Sequence, residues 1–320
     1  MAQNEPTRKH WSEVMMNVPR QVLYGLLIVI ISITLFVPVQ VPVVPQKSTK
    51  DLFSILMTIP EGSTILIQSD WTNSTRGESA WEFQALMRIL MRRNIKFAVM
   101  TSADPQAPEV ARKAIDDVNR ERVADSERPY VRGVDWVNLG FFPNAEGTGQ
   151  GLASNVAELF SGRYDQGESG RVAVMETPVL KDIRRIEDFP AMIVVTASKT
   201  IDILVERLAR RTKLCAMVTG VMGPETLVYH QTGQISGLAI GLTGVAEIEQ
   251  LMERGMDPNG GDGAVLASGY PKIEGFKGMK NIGNGSRYYF PLHNALGLMI
   301  LAIVLGNVGM YVSRKRRVQS

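Results

Sequence analysis

The residues best suited to chemistry in this chain fall into two groups. The first lies in FFPNAEGTGQGLASN, residues 141–155, where Gly147, Gly149 and Gly151 alternate with Thr148 and Gln150. Alternating glycines let successive backbone N–H groups close around an anion such as a phosphate. The same residues also turn a chain into a helix N-terminus with no ligand involved. The second group is a carboxylate pair, Asp70 and Asp104, each following a short apolar run, with Arg76 close by in sequence. Two carboxylates in one cleft bind a cation or divide acid and base work, and Arg76 could pair with an anionic ligand. A helix N-cap and a solvated side chain account for the two aspartates as well.

Spacing limits what these groups can be. A dinucleotide fingerprint reads G-x-G-x-x-G directly after the first strand of its fold, with an acidic residue about twenty positions on. Here the pattern is G-x-G-x-G and follows the third apolar run. It lacks the Lys-Ser/Thr pair of a Walker loop, while Lys199-Thr200 in "ASKT" lacks the glycines. "EGTGQG" resembles the glycine–threonine phosphate loop of tubulin-like GTPases, over those residues alone. A Ser–His–Asp arrangement would need His230, and no G-x-S-x-G elbow holds a serine for it. The other histidines, His10 and His293, lie in different regions, and Cys215 is the one cysteine, so no His/Cys zinc site and no intrachain disulfide are expected. Cys215 sits in the apolar run "KLCAMVTG" and reads as a buried thiol. "DPNGGDG" (257–263) has calcium-loop residues one position out of register and reads as a solvated linker. Neither a metal nor a cofactor is expected.

Positioning these residues takes a full-sized core, which 320 residues at 45% apolar composition can supply. Short apolar runs alternate with amphipathic stretches: 63–69 before 78–94, 96–102 before a helix opening at Pro108, 134–140 before "GLASNVAELF". The alternation continues with 191–197 before "KTIDILVERLARR", 215–221 before "PETLVYHQTGQI" and 236–242 before "TGVAEIEQLMERG". Six strand–helix units with continuously apolar strands predict a three-layer, doubly wound, mostly parallel α/β domain over 45–254. In 161–190, "RVAVMETP" reads as a short extra strand and "VLKDIRRIEDF" as a helix. In such sheets ligands bind beyond the carboxyl ends of the strands. That places the expected ligand contacts at Asp70, Arg76, Asp104, Gly147, Thr148, Gly149 and Gly151.

The ends of the chain have another character. No charge falls between Arg20 and Lys47, so residues 21–44 read as a membrane span, and 288–312 as a second, preceded by a Gly-rich stalk over 255–287. Basic residues flank both spans on their terminal sides, in 1–20 and in the 313–320 tail "SRKRR". This puts both termini in the cytoplasm and the α/β domain outside it. Ala295, Ala302 and Gly309 recur every seven residues in the second span, with Gly306 one turn beyond Ala302, a stripe that permits close helix approach. Asn307 could add a hydrogen bond there. A net charge of +3 without a basic stripe excludes nucleic acid as an expected partner.

Through "WVNLGFF", "TGQISGLAIGLTGVAEIE" and the two anchors, the chain resembles a group of uncharacterised bacterial membrane-anchored α/β proteins of unassigned function. The resemblance implies the anchored α/β architecture and no mechanism. The expected partners are the lipid bilayer and a second copy or another membrane protein. The expected function is a non-catalytic, membrane-anchored domain that binds a partner or small polar ligand. The alternative is an enzyme acting on a polar or phosphorylated substrate at the strand ends.

Overall fold

The computed structural model of the protein describes residues 11, 17–36, 43–167, 170–255 and 283–319. It divides into two compact units, residues 42–286 and a unit formed by residues 1–41 with 287–320.

The larger unit is built on six parallel strands: β1 (Thr64–Asp70), β2 (Lys96–Thr101), β3 (Trp136–Phe141), β6 (Met192–Thr196), β7 (Leu214–Val218) and β8 (Gly237–Ile240). Their order is β3-β2-β1-β6-β7-β8. All six strands match the apolar runs of the sequence to within a few residues. A separate antiparallel hairpin, β4 (Tyr164–Gly167) with β5 (Gly170–Ala173), contains the extra strand expected in "RVAVMETP". The chain leaves the sheet after β3 and returns to the middle beside β1, so winding reverses between β1 and β6. This is the doubly wound, Rossmann-like order.

Each strand feeds two cores because successive side chains point to opposite faces. Ile65, Ile67, Val99, Ile193 and Met217 pack on one face under α2 (Lys47–Thr58), α3 (Arg76–Arg92), α4 (Ala107–Ala124) and α9 (Gly241–Arg254). Leu66, Met100, Val137, Val194 and Ala216 pack on the other under α5 (Ala145–Ser154), α6 (Val156–Phe160) and α7 (Thr200–Leu208). Helix α8 (Gly223–Gln231) joins β7 to β8. Burial on both faces is why the strands read as unbroken apolar runs.

Three elements depart from the sequence reading. Helix α2 was not anticipated. It lies so close to β8 that a Cβ on Gly237 would stand 2.5 Å from the Leu52 Cα, and Thr49 Oγ1 donates to the Leu238 carbonyl at 3.4 Å. "VLKDIRRIEDF" forms turns and one 3-10 turn, Ile186–Asp188, rather than a helix. There the Asp188 carboxylate accepts the Arg184 and Arg185 amides, a local bond that competes with helix formation. The second span is also longer than its apolar stretch. Helix α10 runs Asn284–Gln319, so residues 284–287, read as stalk, are helical. Residues 256–282, which hold the rest of the stalk and "DPNGGDG", lie outside the described residues.

Among the described residues α10 is the one helix long and apolar enough to cross a membrane. Helix α1 (Arg20–Phe36) is apolar but has 17 residues, fewer than the roughly 20 needed to span a hydrocarbon core. The expected 21–44 span therefore reaches only Phe36 as described helix, and 37–42 fall outside the described residues.

Candidate functional site

The strand-end crevice between β1 and β6 is where a doubly wound sheet ordinarily receives its ligand. Here polar groups of the chain bond one another across the strand ends. Asp70, 2% exposed, ends β1. Its Oδ1 accepts Thr101 Oγ1 at 2.7 Å and the Ser102 amide at 2.9 Å, and its Oδ2 accepts Gln68 Nε2 at 2.6 Å and Thr200 Oγ1 at 2.7 Å. Four donors saturate the carboxylate and tie β1 to β2 and to the start of α7, leaving Asp70 no acceptor capacity for a ligand. Asp104 is engaged separately, its Oδ1 accepting the Gln106 amide at 2.7 Å just before α4. The two aspartates do not form a pair, and no cluster of three metal-ligating residues occurs among the described residues.

The alternating glycines are helical, not a loop. Helix α5 starts at Ala145, capped by Asn144, whose Oδ1 accepts the Gly147 amide at 3.0 Å. Thr148 closes the first turn, its Oγ1 donating to the Asn144 carbonyl at 2.6 Å. The glycines serve packing. A Cβ on Gly149 would lie 3.2 Å from Ile203 Cγ2 of α7, and one on Gly151 would lie 2.9 Å from Leu159 Cδ1 of α6. The backbone N–H groups expected to cradle an anion are thus used inside the helix. The spacing of two that suggested a loop places Gly149 and Gly151 against two different neighbours.

A carboxyl pair that the sequence reading missed sits at the ends of β7 and β8. Glu78 and Glu82 are one turn apart on α3, and Glu78 Oε2 accepts the Gly220 amide at 2.7 Å. Gly241, at φ +55°, comes so close that a Cβ there would stand 3.0 Å from Glu78 Oε2. Glu82 is fully buried, and neither of its oxygens makes a hydrogen bond of good geometry. Burial first, and the Glu78 carboxylate second, hold its pKa well above the ordinary carboxylate range, against a smaller opposing pull from the Gly241 amide. The i,i+4 spacing was the available signal. It reads as an ordinary helix face until the chain brings Gly220 and Gly241 onto it.

Of the expected ligand contacts, Arg76 lines a cavity. It opens α3 at the mouth of a cleft of about 130 Å³ between α3 and α4, beside Trp71. Gln84, 6% exposed, lines the same cleft, and its amide has no hydrogen-bond partner among the described residues.

The remaining polar groups are structural. His230 Nε2 lies 3.0 Å from Asp51 Oδ2 on α2. Cys215 is buried, and burial pushes its thiol up to about 12. On α9, buried Glu249 receives the first turn of α10: its Oε2 accepts the Ser286 amide at 2.7 Å and the Ser286 hydroxyl at 2.6 Å. Arg88 Nη1 lies 3.9 Å from Glu249 and Arg88 also holds Glu121 of α4 through two bonds of 2.9 and 3.0 Å. On α10, Ala295, Ala302 and Gly306 are half-buried, Gly309 is buried and Asn307 is exposed, with open space at Gly306. His293 Nδ1 and Asn294 Nδ2 bond helix carbonyls at 2.8 Å each.

No family model, curated protein or solved structure matches the chain.

Proposed function

We propose that the protein is a membrane-anchored, non-catalytic α/β module that binds a small polar ligand or partner and assembles through its second span. The observation that carries this reading is the Ser286–Glu249 contact. A core carboxylate of the α/β unit caps the helix that goes on to form the apolar segment. Such a cap satisfies an otherwise unpaired amide of the helix start and the Ser286 hydroxyl beside it. The saturated Asp70 speaks against acid–base chemistry in the strand-end crevice. Native mass spectrometry of the detergent-extracted full chain tests the proposal. Retained small molecule or a stoichiometry above one is expected; a ligand-free monomer would overturn it.

The topology belongs to the same reading: two spans, both termini cytoplasmic, residues 46–287 outside. Val221, 89% exposed, is a suitable reporter, because native Cys215 is buried. In intact cells with any outer wall permeabilised, an impermeant thiol reagent is expected to label Val221→Cys. Labelling only after inner-membrane lysis would reverse the topology.

One observation favours the enzyme alternative. Glu82, whose carboxyl pKa is pushed well above the ordinary range by burial, stands one turn from Glu78, an arrangement of two carboxyl groups that acid–base chemistry can use. A retained compound converted by the native chain and left intact by Glu82→Gln would establish that reading.

A further inference from the structure

The cleft between α3 and α4 carries features that packing alone does not require. Gln84 is more than nine-tenths buried, yet its amide is unpartnered among the described residues and the little of it that remains exposed lines the cavity. An amide whose polar atoms open on a cleft offers a donor and an acceptor to whatever enters it. Above it stand two cations, Arg76 at the start of α3 and Lys113 on α4. Both line the cleft and neither forms an ion pair within 4 Å among the described residues, although Lys113 is near enough to Glu109 to help lower its pKa. The cleft's own carboxylates are committed elsewhere, Glu109 to Arg112 and Asp117 to Arg120. The Arg112 hydrogen bond lowers the Glu109 pKa and keeps it ionised and engaged. The floor is apolar, made by Trp71, Ala80 and Val110.

These groups define a ligand by complement. Arg76 and Lys113 at the mouth, where Glu109 and Asp117 are bonded to Arg112 and Arg120, favour an anion, and the guanidinium fork of Arg76 suits a carboxylate. The Gln84 amide supplies a neutral hydrogen bond deeper in. The apolar floor accepts a hydrocarbon body, and a volume of about 130 Å³ approaches the roughly 150 Å³ of a cavity that holds benzene. We infer that this cleft binds a small organic carboxylate with a ring-sized apolar body. This rests on the reading of the protein as a ligand-binding module and names the chemical class of its ligand.

Benzoate is the probe, titrated calorimetrically into the full chain in nanodiscs, with inorganic phosphate and benzylamine as comparisons. Saturable benzoate binding is expected, with little or none for the other two. Lys113→Ala and Arg76→Ala lie on the surface and should fold normally, each weakening benzoate by about tenfold. Gln84→Glu should abolish binding by placing a like charge in the cleft. Gln84→Leu removes the buried amide at little cost to folding and should weaken binding without lowering the melting temperature. Equal binding of phosphate would overturn the apolar part of the inference, and equal binding of benzylamine its charge. Absence of benzoate binding at millimolar concentration, or binding indifferent to all four substitutions, would overturn the site. If native mass spectrometry still finds a retained ligand in that case, the binding-module reading survives and only the cleft assignment fails.

Discussion

Gly149 on α5 faces Ile203 on α7 so closely that a Cβ at position 149 would lie 3.2 Å from Ile203 Cγ2. The glycine sets how near the two helices approach. Gly149→Val is therefore expected to destabilise the domain by about 1–3 kcal/mol through overpacking. Gly149→Ala should be close to neutral, because the helix gains from alanine roughly what the tighter contact loses. Thermal unfolding followed by circular dichroism compares the two. A valine variant as stable as the native chain would remove the packing role from Gly149.

Glu82 gives the stability a pH dependence of definite sign. Its folded pKa is raised above the reference value of 4.5, so the folded state holds a proton that the unfolded chain releases. Between 4.5 and the folded pKa, stability falls as pH rises, by up to about 1.4 kcal/mol per pH unit for one group. Below that window both states are protonated and the effect vanishes. Burial raises Glu247 and Glu249 too, so the informative quantity is the difference between the native chain and Glu82→Gln. That difference should grow in favour of glutamine as pH rises from 5. A flat difference would mean that Glu82 ionises like an exposed carboxylate.

Glu249 caps the start of α10, and Gly283 just before that helix lies against the same carboxylate and its Arg88 neighbour. A Cβ on Gly283 would stand 2.5 Å from Arg88 Nη1 and 2.6 Å from Glu249 Oε1. Glu249→Ala strands the Ser286 amide and hydroxyl at a cost of about 1–3 kcal/mol. Amide hydrogen exchange at residues 284–288 should accelerate accordingly. Glu249→Gln keeps an acceptor oxygen and should show a smaller increase. Equal exchange in both variants and the native chain would deny Glu249 its capping role.

The stripe Ala295, Ala302, Gly306 and Gly309 tests assembly. Nothing lies within 4 Å of a Cβ on Gly306, so isoleucine there meets no obstacle inside the chain. Ala302→Ile combined with Gly306→Ile keeps the segment apolar while blocking close approach of a second helix. A fall in native mass to the monomer is expected. An unchanged oligomer would show that this face does not pack.

The sequence by itself determined the six strands, their parallel arrangement and the apolar C-terminal helix. These are local properties: continuous apolar runs mark strands buried on both faces, and uncharged length marks a membrane helix. Tertiary structure decided what the polar residues do. The strands' sequence does not say that Asp70 will meet Thr101, Ser102 and Thr200, because those donors arrive on two segments, 101–102 and 200, distant from it in the chain. Alternating glycines read the same whether they face a phosphate or a neighbouring helix, and only the docking of α7 and α6 assigns Gly149 and Gly151 to packing. Gln84, inside an amphipathic helix, became notable only once α4 closed beside it and left its amide unmatched. Local sequence encodes which surface a residue prefers; the partners it finds there depend on contacts distant in the chain.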